Sequence, residues 1–142
     1  MNKIFVYGTL KSIRIQKELF GKELKMYKAV LEDYSVYEAQ DGYYFIKEKV
    51  GSNIVGYVIE LDDKSLEICD AFEWCPIVYQ RKSISVKVQN KEVPTDVYIR
   101  VDDINDYKEV LDFKTFSKFD EEFVINTEIK KFKEFEHPEF YR

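Results

Sequence analysis

Cysteine and histidine are nearly missing from this chain: Cys69, Cys75 and His137 are the whole complement. Two thiols with no companion Cys or His at ligand spacing complete no zinc site, and they are too few for a disulfide framework. Both read as small buried hydrophobes. Three prolines and five glycines make punctuation sparse, and no Pro-, Gly- or Ser-rich linker divides the sequence. Long apolar runs are also lacking. No stretch approaches the ~20 residues that a membrane helix needs. The apolar run near the N-terminus is too short for a signal-peptide core and no small-residue cleavage site follows it, so the expected address is the cytoplasm. Positive charge is not in excess either: 22 basic residues stand against 27 acidic ones, a net charge of −5. A duplex binder must neutralise phosphates, so this balance argues against nucleic acid as a partner. A Walker-type phosphate loop and a nucleophile-elbow serine are absent as well.

What remains is a chain of 142 residues, enough for one domain and too little for a second full core. Aromatics are plentiful, with 11 Tyr and 11 Phe. Tyr suits both cores and small-molecule pockets, since its ring is apolar and its tip forms hydrogen bonds.

Residues 3–7 read as a strand, β-branched and aromatic, ending at Gly8. Residues 13–20 read as a short helix stopped by Gly21. Residues 24–37 supply one or two strands. Residues 43–50 and 54–61 read as two strands joined by a Gly51-Ser52-Asn53 turn. Asp62 to Ser65 offer capping groups to a helix whose Leu66, Cys69 and Phe72 share a face, and Pro76 lies just beyond its end. Ile84, Val86 and Val88 alternate with polar residues, as do Val97, Ile99 and Val101, which predicts a hairpin across 89–92. A helical turn is expected within 104–113 and a longer helix over 120–135. The lysines at 130, 131 and 133 read as its solvated face. Strands early and helices late predict an α+β domain with a curled, mainly antiparallel sheet.

Two segments carry chemistry. After the first strand comes Tyr7-Gly8-Thr9-Leu10, where glycine permits positive φ and lets backbone N–H groups cradle a carboxylate or oxyanion. The other is Asp70 to Pro76 with Tyr79-Gln80-Arg81. Glu73 stands there between Phe72 and Trp74, and aromatic surroundings would raise its pKa toward the range of a general base. The plainer alternative is an exposed helix glutamate or one paired with Arg81. Asp70 and Arg81 themselves read as an ion pair or capping contacts.

With Gly56-Tyr57-Val58-Ile59-Glu60-Leu61 and Val97-Tyr98-Ile99, these segments resemble the gamma-glutamylcyclotransferase-like superfamily, in particular its gamma-glutamylamine cyclotransferase branch. The resemblance covers roughly residues 3–101. It implies a single domain over 1–142: a small mixed, mainly antiparallel β-barrel with helices packed outside, and a divergent tail from about 102 that could reshape or cover the pocket. It implies that main-chain N–H groups at Tyr7, Gly8, Thr9 and Leu10 hold a substrate α-carboxylate and that Glu73 is the catalytic acid/base. Tyr79, Tyr98 and Tyr107 become cavity residues. The implied substrate is a small γ-glutamyl compound, cyclised to 5-oxoproline with release of an amine and without metal or organic cofactor. Neither the released amine nor the oligomeric state is specified. Trp74 departs from the family pattern, where glycine is frequent, and Cys69 stands where leucine is expected. Two rival classes stand beside this reading: a non-catalytic binding module on the same fold, and an adaptor using Phe116, Phe119, Phe123 and Phe132 as a patch. A Cys75–His137 nucleophile pair has no local support.

Overall fold

The computed structural model describes residues 1–111 and 118–142. In chain order they form β1 (Asn2–Val6), α1 (Ile13–Phe20), β2 (Met26–Ala39), β3 (Tyr44–Leu61), α2 (Asp63–Phe72), β4 (Tyr79–Val88), β5 (Lys91–Arg100), β6 (Tyr107–Glu109) and α3 (Lys118–Val124). Helical backbone continues beyond α3 in two wide turns, Ile125–Ile129 and Phe132–Glu136, and tight 3₁₀ turns occur at Thr9–Lys11 and Pro138–Tyr141.

Local chemistry sets most of these boundaries. Ser12 caps α1 by accepting from the Ile15 N–H at 3.3 Å, and Gly21 ends it in the left-handed region at φ 76°. Asp62 caps α2 through the Ser65 N–H at 2.7 Å. Gln89 and Asn90, at φ 50° and 64°, make the tight turn between β4 and β5, where positive φ at both positions matches the twist of the strands.

Elsewhere the chain departs from the sequence pattern. Gly51 to Asn53 form no hairpin turn, because β3 runs unbroken from Tyr44 to Leu61 as the partner of β2. Gly51 instead lies in an irregularity of β3, where residues 49–52 stand opposite the single residue Asp33, which adopts φ 63° and whose Oδ1 accepts the Gly51 N–H at 3.0 Å. The three extra residues on the β3 side bend the long β2–β3 ribbon. Residues 107–109 form no helical turn either. They make β6, an edge strand that pairs with the far end of β2 through Tyr37 and Glu109.

The bend lets β2 and β3 pair with different neighbours. β3 lies antiparallel to β1, β1 lies parallel to β5 at Ile4 and Asp96, β5 runs antiparallel to β4, and β4 meets β2 at Lys87 and Val30. Since β2 also pairs with β3, five strands close in a ring of pairings. The domain is a mixed α+β fold with a mostly antiparallel sheet.

Strand alternation divides the core in two. Phe5, Val58, Val86 and Val97 pack inside the ring, whereas Ile4, Val6, Ile59 and Leu61 face the helices and join Ile15, Leu19 and Ile68. The C-terminal segment packs onto this second layer. Phe132 is 2% exposed, and the Tyr141 hydroxyl donates to the Leu19 carbonyl at 2.7 Å. Phe123 is 59% exposed, so these two residues occupy different faces and share no patch; Phe116 and the side chain of Phe119 lie outside the described residues. Among the described residues no helix is long and apolar enough to cross a membrane.

Gly56 of β3 sits against β1. A Cβ there would lie 2.3 Å from the Val6 carbonyl oxygen and 2.9 Å from the Phe5 ring. A backbone atom inside the sheet cannot move aside as a flexible side chain can. Gly56→Ala is therefore expected to destabilise the domain by about 1–3 kcal/mol, the usual cost of overpacking, measured as a lowered urea midpoint. An unchanged midpoint would show that β1 can move away from β3 freely.

Candidate functional site

A cavity of about 650 Å³ opens where β1, the end of α2, the β2–β3 turn and the C-terminal segment meet. That is ample for a small molecule.

Its first wall is the loop after β1. The 3₁₀ turn bonds the Lys11 N–H to the Gly8 carbonyl and the Ser12 N–H to the Thr9 carbonyl, each at 3.1 Å. These bonds leave the N–H groups of Gly8, Thr9 and Leu10 outside the turn's own pattern, as at any helical N-terminus. Gly8 does not use positive φ, as the sequence suggested; its φ is −126° and no heavy atom lies within 4 Å of where its Cβ would stand. Gln16, fully buried in α1, holds the loop from behind. Its Nε2 donates to the Leu10 carbonyl at 2.8 Å and its Oε1 accepts the Leu24 N–H at 3.1 Å. Sequence reasoning passed over Gln16, although a polar residue on the helix face shared with Ile15 and Leu19 was a usable signal.

The second wall comes from α2. Glu73 is the residue just past the helix, with its N–H on the Cys69 carbonyl at 3.0 Å, and Trp74 reverses the chain at φ 54°. Glu73 and the loop at Tyr7, Gly8, Thr9 and Leu10 line the same cavity. Burial raises the Glu73 carboxyl, with help from the negative charges of Glu128 and Asp70, to about 7. Phe72 and Trp74 line the cavity beside Glu73; Trp74 is 57% exposed, and Phe72 packs edge-on against Phe132 at 5.4 Å. Pairing of Glu73 with Arg81 is not what the fold makes: Arg81 binds Asp70 at 2.9 Å and Asp96 at 3.3 Å.

Tyrosines complete the lining. Tyr79 and Tyr98 are both cavity residues, and both hydroxyls donate to protein acceptors. Tyr79 reaches the Tyr44 carbonyl at 2.8 Å and Tyr98 reaches Asp70 Oδ1 at 2.6 Å. Burial pushes the hydroxyls of Tyr7, Tyr79 and Tyr98 up in pKa, so all three stay neutral. Tyr107 is the exception among the expected cavity residues. It sits on β6 against Tyr37 and Phe45, with its hydroxyl accepting from Lys47 Nζ at 2.7 Å, and it does not line the cavity. Its displacement follows from residues 107–109 being an edge strand.

Several cavity residues were not foreseen. Arg100, with a side chain 7% exposed, holds Asp41 at 2.5 Å and Asp102 at 2.8 Å, and its guanidinium lies 5.9 Å from the Tyr79 ring centre. Glu128, Lys131 and Glu136 enter from the C-terminal segment, so the tail does cover part of the pocket. Cys75 lies outside the lining and burial raises its thiol, and His137 is engaged by Glu139 at 2.8 Å; nothing pairs them. Among the described residues no three His, Cys, Asp or Glu side chains gather as a metal-holding group.

Comparison with known proteins points the same way. Residues 4–117 match the model of the family described as gamma-glutamyl cyclotransferase, AIG2-like. A Methanocaldococcus jannaschii protein, MJ1514, provisionally named a gamma-glutamylcyclotransferase, is 31% identical over 119 residues, covering 82% of this chain and 98% of that protein. The crystal structure of a mouse AIG2-like protein superposes with a TM-score of 0.60 at 26% identity, covering 70% of this chain and 76% of that one. The Arabidopsis thaliana protein At3g28950.1 superposes at 0.62 with 22% identity; the match covers 70% of this chain and 61% of that longer one.

The raised Glu73 carboxyl has a thermodynamic signature. Its folded pKa lies above its unfolded value, so between about 4.5 and 7 the folded state holds more protons than the unfolded state. Stability from this group is present at low pH and is lost as pH rises through 7. Glu73→Gln, which stays neutral, should therefore match the parent near pH 4 and exceed it at pH 8 by about 1–3 kcal/mol, given 1.36 kcal/mol per pKa unit. Chemical denaturation at both pH values reads this directly, and a pH-independent difference would place Glu73 in ordinary solvent.

Proposed function

The chain belongs to the AIG2-like gamma-glutamyl cyclotransferase family, and from that premise we propose that it converts a small γ-glutamyl compound to 5-oxoproline and a free amine, with Glu73 as the general acid/base. The observation that carries this reading is the shared cavity: a carboxyl group of pKa near 7 and the loop bearing the N–H groups of Gly8, Thr9 and Leu10 border one space. Cyclisation of one small molecule requires both an anchor and a base at that range.

In the proposed reaction the N–H groups of the loop hold the substrate's α-carboxylate. Glu73 takes a proton from the α-ammonium. The freed amine attacks the γ-carbonyl carbon, forming the ring C–N bond. Glu73 then returns the proton to the departing nitrogen as the original amide C–N bond breaks, and the second proton of the attacking nitrogen passes to the released amine, which leaves as its ammonium. One substrate yields two products and no water is consumed. Holding nucleophile and carbonyl within one ring-closing geometry supplies much of the rate, since effective molarities of such reactions reach ~10⁵ M or more. Tyr79 and Tyr98, with their hydroxyls already donated inward, serve as apolar walls that exclude water.

The binding-module alternative keeps the same cavity, and Glu73→Gln separates the two. That variant preserves shape but cannot carry the proton. Turnover of γ-glutamyl substrates should fall by ~10² or more, while calorimetry should still detect 5-oxoproline binding. In the parent, kcat/KM should rise with pH through about 7 as Glu73 ionises in the company of Glu128, Asp70, Tyr7 and Tyr79. Parent-like turnover in the variant would end the proposed mechanism, and absence of 5-oxoproline release from the parent on every γ-glutamyl compound tried would favour the binding module.

A further inference from the structure

Trp74 is the one tryptophan of the chain, and its backbone conformation is costly. Its φ of 54° lies in the left-handed region, which glycine enters freely and a bulky residue enters only against a steric penalty. Hydrogen bonds hold it there. The Trp74 N–H donates to the Ala71 carbonyl at 3.1 Å, and its own carbonyl accepts from the N–H groups of Ile77 and Val78, each at 2.9 Å. These bonds turn the chain out of α2 toward β4, and a glycine would make all of them without the penalty.

The indole gains little from the rest of the protein. It is 57% exposed, and among the described residues no aromatic ring, cation or hydrogen-bond acceptor is paired with it. Backbone outliers that the surroundings hold in place cluster at functional sites. What the indole does have is a place in the cavity wall, one residue after Glu73. Ile77, on the same turn and 74% exposed, is not part of that wall. Two large apolar side chains thus leave one turn for solvent, and Trp74 alone of the two borders the cavity.

In the reaction proposed above, Glu73 returns a proton to the departing nitrogen, so the group carried by that nitrogen begins beside Glu73. The α-carboxylate is held elsewhere, on the loop from Gly8 to Leu10. We propose that Trp74 is a specificity-determining residue that lays its indole against the released group, so that the preferred substrates are γ-glutamyl derivatives of amines bearing a flat apolar ring. The proposal rests on the γ-glutamyl reading above. A ring placed on the indole removes apolar surface of both from water and adds offset stacking. A methyl group covers too little of the indole to do either.

The test compares 5-oxoproline release from γ-glutamyl-benzylamine and γ-glutamyl-methylamine. The parent is expected to favour the benzyl compound in kcat/KM by about tenfold, the scale of one aromatic contact. Trp74→Gly should bring the ratio near one, Trp74→Phe should retain part of it, and Ile77→Ala should leave it as in the parent. Trp74→Gly should also keep the parent's urea midpoint, since glycine adopts this conformation freely, so the lost preference is not lost structure. A parent without preference, a preference that survives in Trp74→Gly, or one that falls equally in Ile77→Ala overturns the proposal. The single tryptophan supplies a readout without turnover. Titration with benzylamine should move its emission to shorter wavelength and saturate, while methylamine should leave it unchanged. That result supports the role of Trp74 even if no γ-glutamyl compound releases 5-oxoproline. Unchanged emission with benzylamine overturns it, whatever the fate of the cyclisation chemistry.

Discussion

The approach of β1 to β3 at Gly56 is the contact on which the placement of the site depends. With no side chain at Gly56, the Val6 carbonyl and the Phe5 ring come within van der Waals reach of β3. This seats β1 between β3 and β5, and it determines where the chain leaves the sheet at Tyr7. The loop from Tyr7 to Leu10 then has its direction set by the sheet and its back held by Gln16. Loops that bind ligands need such support, because their own backbone hydrogen bonds are too few to hold them.

Glu73 obtains its properties from the opposite circumstance. It sits where α2 has just ended, so no further helical turn covers it and its side chain borders open space. Burial with Glu128 and Asp70 nearby makes the ionised form costly. The fold tolerates this cost at a carboxyl that titrates near neutral pH, as the proposed proton transfer requires. Asp70, three residues earlier, is treated differently: Arg81 and the Tyr98 hydroxyl both satisfy it. Two neighbouring carboxylates thus have separate duties, one holding the wall of the cavity and the other facing into it.

Much of this was legible in the residues themselves, and the reason is locality. Caps at Ser12 and Asp62, the stop at Gly21, the hairpin at Gln89 and Asn90 and the alternation along β4 and β5 all follow from contacts within a few residues. The misread pieces depend on distant partners. Gly51 looks like a turn residue because glycine tolerates positive φ, and positive φ is used in strand irregularities as well as in turns. Only the presence of Asp33 across the ribbon decides between them. Residues 107–109 become a strand because the end of β2 offers an unpaired edge, which no local propensity records. Tyr107 moved out of the expected cavity for that reason.

The sequence by itself determined most of the elements, the family resemblance and the two segments at Tyr7 to Leu10 and at Glu73, since glycine placement, capping and short motifs are written in adjacent residues. Tertiary structure alone decided that these segments share a cavity and that the C-terminal segment forms one of its walls. It also decided that Arg100, Asp41, Tyr43 and Glu128 meet in its lining. Those residues are up to 87 positions apart, from Asp41 to Glu128. Closing the strands into a ring of pairings is what brings them together, and no spacing along the chain reports that closure.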